Sequence, residues 1–154
     1  MSNLDDLYRE IILDHYRSPR NRGELASPPA IRVEGYNPLC GDEVVVYLDA
    51  RDGVLADIKL TGRGCSISQS SASLMSAAVK GKTLEQARAV IAMFKRMMTV
   101  HESTLGHDGE AASADVQSMG ELAALQGVVK FPVRIKCATL AWHALDQALD
   151  EVSV

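Results

Sequence analysis

The feature that most constrains the fold is a run of three short β-type segments tied together by a tight turn. Residues 31–36 form a short predicted strand, and residues 43–50 are rich in Val, with one Tyr. Asp52-Gly53 is a strong two-residue hairpin signal. Residues 54–60 then return, with one face predicted to carry Ala56, Ile58 and Leu60. Because the apolar face of such a meander must be covered by helices, the sequence predicts an α+β fold with a three-stranded antiparallel sheet.

Helical periodicity flanks this predicted sheet. The first helix is predicted to begin after Asn3, as N-cap, and to stop before Pro19. Its apolar stripe consists of Leu4, Leu7, Tyr8, Ile11, Ile12 and Tyr16. Gly62 and Gly64 are predicted to break the last strand, and a helix of small residues follows to about Lys80.

The C-terminal half predicts further helices. A capping box at Thr83 and Gln86 opens a helix whose predicted core face is Leu84, Ala87, Val90, Ile91, Phe94, Met97 and Met98. Residues 100–117 are predicted to form a polar, mobile loop, and residues 121–126 a short helix. The last helix starts after Pro132 and carries Ile135, Ala138, Trp142, Leu145 and Leu149 inward. We find no internal repeat, so we expect a single domain over residues 1–154.

Composition excludes several classes of function. The 154-residue chain carries a formal net charge of −4 and has no dense block of Lys or Arg, which argues against a nucleic-acid partner. It has no apolar run long enough to cross a bilayer, and its first residues do not resemble a signal peptide. A cytoplasmic location fits best. Thiols stay reduced there, so three cysteines favour metal binding or catalysis over disulfides.

The three cysteines have distinctive surroundings. Cys40 precedes Asp42 by two residues, and in extended backbone such a pair points to the same side. Gly41 between them allows a sharp turn. Cys65 is predicted at the start of a helix, and Cys137 in the first turns of another, where the helix dipole would lower a thiol pKa. Three thiolates and one carboxylate are a full tetrahedral ligand set for one metal ion.

Other interpretations of these residues stay open. A lone cysteine is usually a small buried hydrophobe, and the chain has no Cys-x-x-Cys pair. A Cys–His nucleophilic pair has no local support, and His15 beside an apolar stripe is better explained by packing or hydrogen bonding. Residue chemistry alone therefore allows either one shared metal site or three separate thiols.

Three motifs give the chain a family resemblance. They are residues 37–42 (Asn-Pro-Leu-Cys-Gly-Asp), residues 62–73 around Cys65, and residues 133–142 around Cys137. Together with the N-terminal helix, they closely resemble the IscU/SufU family of iron–sulfur cluster assembly proteins, over nearly the whole chain. The resemblance implies the fold of that family and a convergent metal site.

The resemblance also implies roles for individual residues. Cys40, Asp42, Cys65 and Cys137 would be the metal ligands. Arg134, one helical turn before Cys137, would offset the site's negative charge and hydrogen-bond Asp42. Scaffold-type members carry a histidine immediately before the third cysteine, whereas this chain has Lys136, which has no lone pair to offer when protonated. Lys at that position and an insertion before the third cysteine resemble the SufU branch, whose members bind zinc and accept sulfur from a SufS-type cysteine desulfurase.

Two classes of function follow from the resemblance. The first is a zinc-dependent sulfurtransferase, in which a desulfurase histidine displaces Cys40 from zinc and the freed thiolate attacks the partner's persulfide. The second is a scaffold that assembles a [2Fe–2S] cluster, with iron in place of zinc, and passes it to downstream iron–sulfur assembly proteins. Lys136 favours the first class. A third, weaker interpretation is a purely structural zinc domain.

Overall fold

A computed structural model describes residues 3–27, 29–38, 40–103 and 120–153. Its sheet is the predicted three-stranded antiparallel meander, in the order β1-β2-β3. The strands are β1 (Ile31–Asn37), β2 (Asp42–Arg51) and β3 (Val54–Arg63). β3 continues past Leu60, so Gly62 lies inside the strand instead of ending it. One end of the β1–β2 pairing positions the site, because Asn37 pairs with Asp42 next to the turn that joins the two strands.

A β-bulge contradicts one detail of the predicted sheet. The pairing of β2 with β3 shifts after Asp49, which faces Asp57, so that Ala50 faces Leu55 and the intervening Ala56 is left over. Leu55 and not Ala56 is therefore buried with Ile58, and Ala56 is exposed. The prediction that Ala56 faces the core is wrong, because a strict period of two holds only where no residue is inserted.

Helices cover the apolar face of the sheet. Helix α1 spans Asn3–Arg17 and packs against α2, which spans Ser66–Val79. The last helix, α4 (Pro132–Ser153), packs against α2 and also against strands β1 and β2. The ends of β1, β2, α2 and α4 that carry the cysteines are thereby brought together.

The predicted capping box is present at the start of α3 (Leu84–Ser103). The main-chain N–H of Thr83 donates to Gln86 Oε1 at 3.0 Å, and the N–H of Gln86 donates to Thr83 Oγ1 at 3.1 Å. The helix runs to Ser103, so the prediction of a loop from residue 100 is wrong at its start; residues 104–117 lie outside the described residues. The predicted short helix is a longer 3-10 segment, Gly120–Lys130. None of the helices in the described parts of the chain combines the length and apolar character that a bilayer span requires.

The single tryptophan lies at the centre of the core. The Trp142 ring stacks on Phe94, with centroids 4.1 Å apart and planes inclined by 6°. Its Nε1–H donates to Ser71 Oγ at 3.0 Å, and Ser71 in turn donates to the main-chain oxygen of Ala138 at 2.6 Å. Because the indole is fully buried, its fluorescence should report loss of the packed core.

His15 joins three elements of the helical layer. The residue is 1% exposed, with Nδ1 at 2.7 Å from Ser73 Oγ on α2 and Nε2 at 3.2 Å from Glu121 Oε1 on the 3-10 segment. Both ring nitrogens therefore have partners, as a buried imidazole requires. This arrangement confirms the packing and hydrogen-bonding role predicted for His15.

Candidate metal centre

The turn between β1 and β2 places Cys40. The main-chain oxygen of Asn37 accepts the N–H of Cys40 at 3.3 Å and that of Gly41 at 2.8 Å, which closes the turn. Gly41 has a φ of 73°, in the left-handed region that glycine adopts without strain. Cys40 and Asp42 therefore meet through a left-handed turn and not, as predicted, through extended backbone.

Asp42, the first residue of β2, lies between this turn and α2. Its carboxylate is buried, with the residue 1% exposed. Oδ1 accepts the main-chain N–H of Cys65 at 3.0 Å, and the Cys65 thiol lies 3.6 Å from Oδ2. Asp42 thus connects the first cysteine motif to the second.

Cys65 is the N-cap of α2. Its backbone is extended, with φ −70° and ψ 167°, and its Sγ accepts the N–H of Ser68 at 3.5 Å. The sulfur occupies the place that a Ser or Asp oxygen usually fills at a helix start, facing the positive end of the helix dipole. The predicted location of Cys65 at a helix start is therefore confirmed.

Cys137 lies in the second turn of α4, fully buried, with its Sγ 3.0 Å from Cys40 Sγ. Burial raises the pKa of the Cys137 thiol well above its ordinary value, and the neighbouring Cys40 and Asp42 side chains raise it further. The prediction that the pKa of this thiol is lowered is wrong, because burial disfavours the charged thiolate. A metal ion that binds here must therefore displace the Cys137 proton.

The ligand atoms of Cys40, Asp42 and Cys137 lie within 4.8 Å of one another. Cys65 is outside this mutual group but touches its Asp42 member. Thiolates with one carboxylate are ligands that zinc accepts in tetrahedral sites, so the donor set fits a divalent metal. The fold thus brings together residues that are as much as 97 positions apart in sequence.

The cluster opens into a cleft of about 710 Å³. The cleft is lined by Cys40, Asp42, Gly64, Cys65, Phe131, Pro132, Val133 and Arg134. Phe131 and Val133 are each 61% exposed. Cys40 and Cys65 can be reached from this cleft, whereas Cys137 is buried and is not one of its lining residues.

Comparison with known proteins agrees with this geometry. The family model of the NifU-like N terminal domain matches residues 7–138. The chain belongs to this family. The matched range includes Cys40, Asp42, Cys65 and Cys137, and most of the helix that carries His15.

Named relatives of this family fall into two functional groups. The chain is 44% identical over 148 residues to the zinc-dependent sulfurtransferase SufU of Bacillus subtilis. This alignment covers 96% of the present chain and 92% of the relative. It is 36% identical over 149 residues to the iron–sulfur cluster assembly scaffold protein IscU of Streptococcus pyogenes, covering 97% of this chain and 86% of that protein.

A solved structure shares the fold. The putative iron–sulfur cluster assembly scaffold protein for the SUF system from Fervidobacterium islandicum superposes with a TM-score of 0.75 at 31% identity. The match covers 91% of this chain and 94% of that one. The IscU/SufU-like fold predicted from the sequence motifs is therefore confirmed.

Arg134 lies at the mouth of the site. Its guanidinium is solvent-exposed and lines the cleft. Its pKa is raised, first by hydrogen bonding to the Cys137 thiol and then by the charge of Cys65. The groups that raise the Arg134 pKa are Cys137 and Cys65, and Asp42 is not one of them. In this arrangement, as in the predicted one with Asp42, the guanidinium would offset the negative charge of the metal site.

Asn37 is the site residue that the sequence did not single out. Its side-chain Nδ2 lies 3.6 Å from Cys40 Sγ and 4.0 Å from Cys137 Sγ, and the residue is buried. The available signal was an asparagine three residues before a cysteine in a Pro- and Gly-containing turn, which is typical of a residue that organises the turn.

Gly64 is expected to resist substitution because of Asp42. A Cβ at this position would clash with Asp42 Oδ1 and lie 2.7 Å from Ser68 Oγ. Gly64→Ala should therefore displace the carboxylate, weaken metal binding and cost about 1–3 kcal/mol of folding free energy. Urea unfolding followed by Trp142 fluorescence, with chelator competition for zinc, measures both effects.

Gly127→Ala is the matched control, because a Cβ at Gly127 would meet no atom within 4 Å. We expect that variant to stay within about 0.5 kcal/mol of the parent protein. Equal zinc affinity in the Gly64→Ala variant and the parent would show that Asp42 does not depend on this close approach.

Proposed function

We propose that this protein is a zinc-dependent sulfur acceptor of iron–sulfur cluster biogenesis, a sulfurtransferase that takes persulfide sulfur from a SufS-type cysteine desulfurase. The observation that carries the proposal is the convergence of Cys40, Asp42 and Cys137 within 4.8 Å, beside an open cleft that Cys40 and Asp42 line. The name of the Bacillus subtilis relative supports both zinc and sulfur transfer. Because sulfur acceptance needs reduced thiols, we also propose that the protein works in the cytoplasm.

The proposed ligands are Cys40, Asp42, Cys65 and Cys137. Supporting this set, the Cys65 thiol lies 3.6 Å from Asp42 Oδ2, and Cys40 Sγ lies 3.0 Å from Cys137 Sγ. Zinc, when bound, would keep the three sulfurs deprotonated and protected from oxidation.

Cys40 is the proposed acceptor of sulfur. It lines the cleft on the short turn between β1 and β2, whereas Cys137 is fully buried within a helix. The Cys40 thiolate would attack the terminal sulfur of the partner's persulfide. A new S–S bond forms on Cys40, the partner's S–S bond breaks, and the partner cysteine leaves as a thiolate.

Arg134 is the proposed electrostatic partner of this step. Its guanidinium stands at the cleft mouth beside Cys137 and Cys65. A cation there stabilises negative sulfur while the charge moves from Cys40 to the leaving thiolate. We therefore expect Arg134 to favour the transition state of transfer.

The alternative function is a scaffold for a [2Fe–2S] cluster, which the name of the Streptococcus pyogenes relative favours. Lys136 argues against it. This residue occupies the position before the third cysteine and is exposed, and an ammonium group has no lone pair for iron.

Elemental analysis after aerobic purification, paired with a desulfurase assay, separates the candidates. The proposal expects a colourless protein with one zinc per chain that accelerates cysteine desulfurase turnover. A brown protein after reconstitution that passes its cluster to an apo-ferredoxin would support the scaffold instead. Bound zinc without any effect on the desulfurase would leave a structural zinc domain.

A further inference from the structure

Asn37 contributes both its backbone and its side chain to the candidate metal centre. It ends β1 directly opposite Asp42, and its main-chain oxygen accepts the N–H groups of Cys40 and Gly41. Only 6% of the residue is exposed. One residue therefore holds the turn by its backbone and projects its side chain towards the sulfurs.

The side chain of Asn37 contacts two sulfurs from a buried position that is not part of the cleft lining. Its Nδ2 lies 3.6 Å from Cys40 Sγ and 4.0 Å from Cys137 Sγ. An amide NH₂ carries two donor hydrogens and so can serve both sulfurs at once. These distances are within reach of N–H···S hydrogen bonds, which are longer than those to oxygen.

The charge of the site explains why such a donor matters. Three thiolates and one carboxylate carry four negative charges against the two of a divalent ion. Arg134 lies near this excess negative charge on the solvent side of the cleft, where the charge of the guanidinium is screened. The Asn37 amide faces the same excess negative charge from a buried position, where a hydrogen bond is electrostatically stronger.

We propose that Asn37 is a positioning residue for metal binding and sulfur acceptance, whose amide donates to the Cys40 and Cys137 sulfurs and keeps Cys40 aimed into the cleft. Its role rests on the proposed function, since it acts through the sulfurs that hold zinc and receive sulfur. The closing of the turn, by contrast, depends on the main-chain oxygen, which every substitution retains.

Asn37→Leu tests this role, because leucine has nearly the same shape but no donor. Zinc affinity, measured by competition with a chromophoric chelator, should fall about 10- to 100-fold. At saturating zinc, the rate of sulfur acceptance should fall about tenfold, with the KM for the desulfurase unchanged. The melting temperature of the zinc-free protein, read from Trp142 fluorescence, should stay near that of the parent.

Gln69→Leu is the matched control. The Gln69 amide lies one helical turn from Cys65 and donates to Ser68 Oγ at 3.5 Å. This change should alter zinc affinity less than about twofold. If Asn37→Leu packs too poorly to fold, the smaller Asn37→Ala removes the same donor and should show the same loss of zinc affinity.

Parent-like zinc affinity in both Asn37 variants would overturn the proposal while leaving the proposed function intact. A drop in zinc affinity that the fall in zinc-free melting temperature fully accounts for would also overturn it, making Asn37 a structural turn residue. Failure of the parent protein itself to hold zinc or accept sulfur would instead refute the proposed function.

Discussion

Replacement of Cys40 by alanine is expected to abolish stimulation of a cysteine desulfurase. Cys40 lines the cleft on a turn, whereas Cys65 caps helix α2 and Cys137 is fully buried within α4. Removal of the nucleophile should lower sulfur acceptance roughly a hundredfold or more. Partner binding should persist in part, since the exposed Phe131 and Val133 at the cleft are untouched. Turnover assays and a pull-down with the desulfurase measure the two effects.

Cys65→Ala separates loss of the acceptor from loss of the metal. This variant loses a proposed ligand but keeps Cys40, so in a single turnover it should still gain one sulfur atom on Cys40, seen by mass spectrometry. The Cys40→Ala variant should gain none. Undiminished stimulation by Cys40→Ala, or a sulfur atom on its Cys65 at the parental rate, would refute the assignment of Cys40 as acceptor.

Replacement of Asp42 by alanine is expected to release zinc and expose the thiols to oxidation. The change removes a proposed ligand and also the acceptor for the Cys65 N–H at 3.0 Å. Zinc affinity should fall by about a hundredfold or more. The unpaired N–H should cost about 1–3 kcal/mol of folding free energy. Chelator competition and the rate of thiol loss in air test these expectations.

Asp57→Ala is a matched control on the neighbouring strand. Asp57 Oδ1 also accepts a main-chain N–H, that of Ile58 at 2.9 Å, and pairs with Lys80, but it is not part of the metal-ligand cluster. We expect this variant to keep the zinc affinity of the parent. Stoichiometric zinc in Asp42→Ala against the same chelator would remove Asp42 from the ligand set.

Local signals in the sequence predicted most of the architecture. The Asp52-Gly53 hairpin, the capping box at Thr83 and the inward face around Trp142 all depend on residues close together in the chain, and each was confirmed. The error at Ala56 came from a bulge. Its position depends on how β3 pairs with β2, which no periodicity within β3 reveals.

The sequence by itself determined which side chains could bind a metal, because local motifs identify thiols and a carboxylate in turns and at helix starts. Only the tertiary structure decided that Cys40 and Cys137 touch, that burial raises the pKa of Cys137, and that Asn37 donates to both sulfurs. Those properties arise from packing between β1, β2 and α4. Desolvation and contact depend on neighbours distant in sequence, and these become neighbours only when the chain has folded.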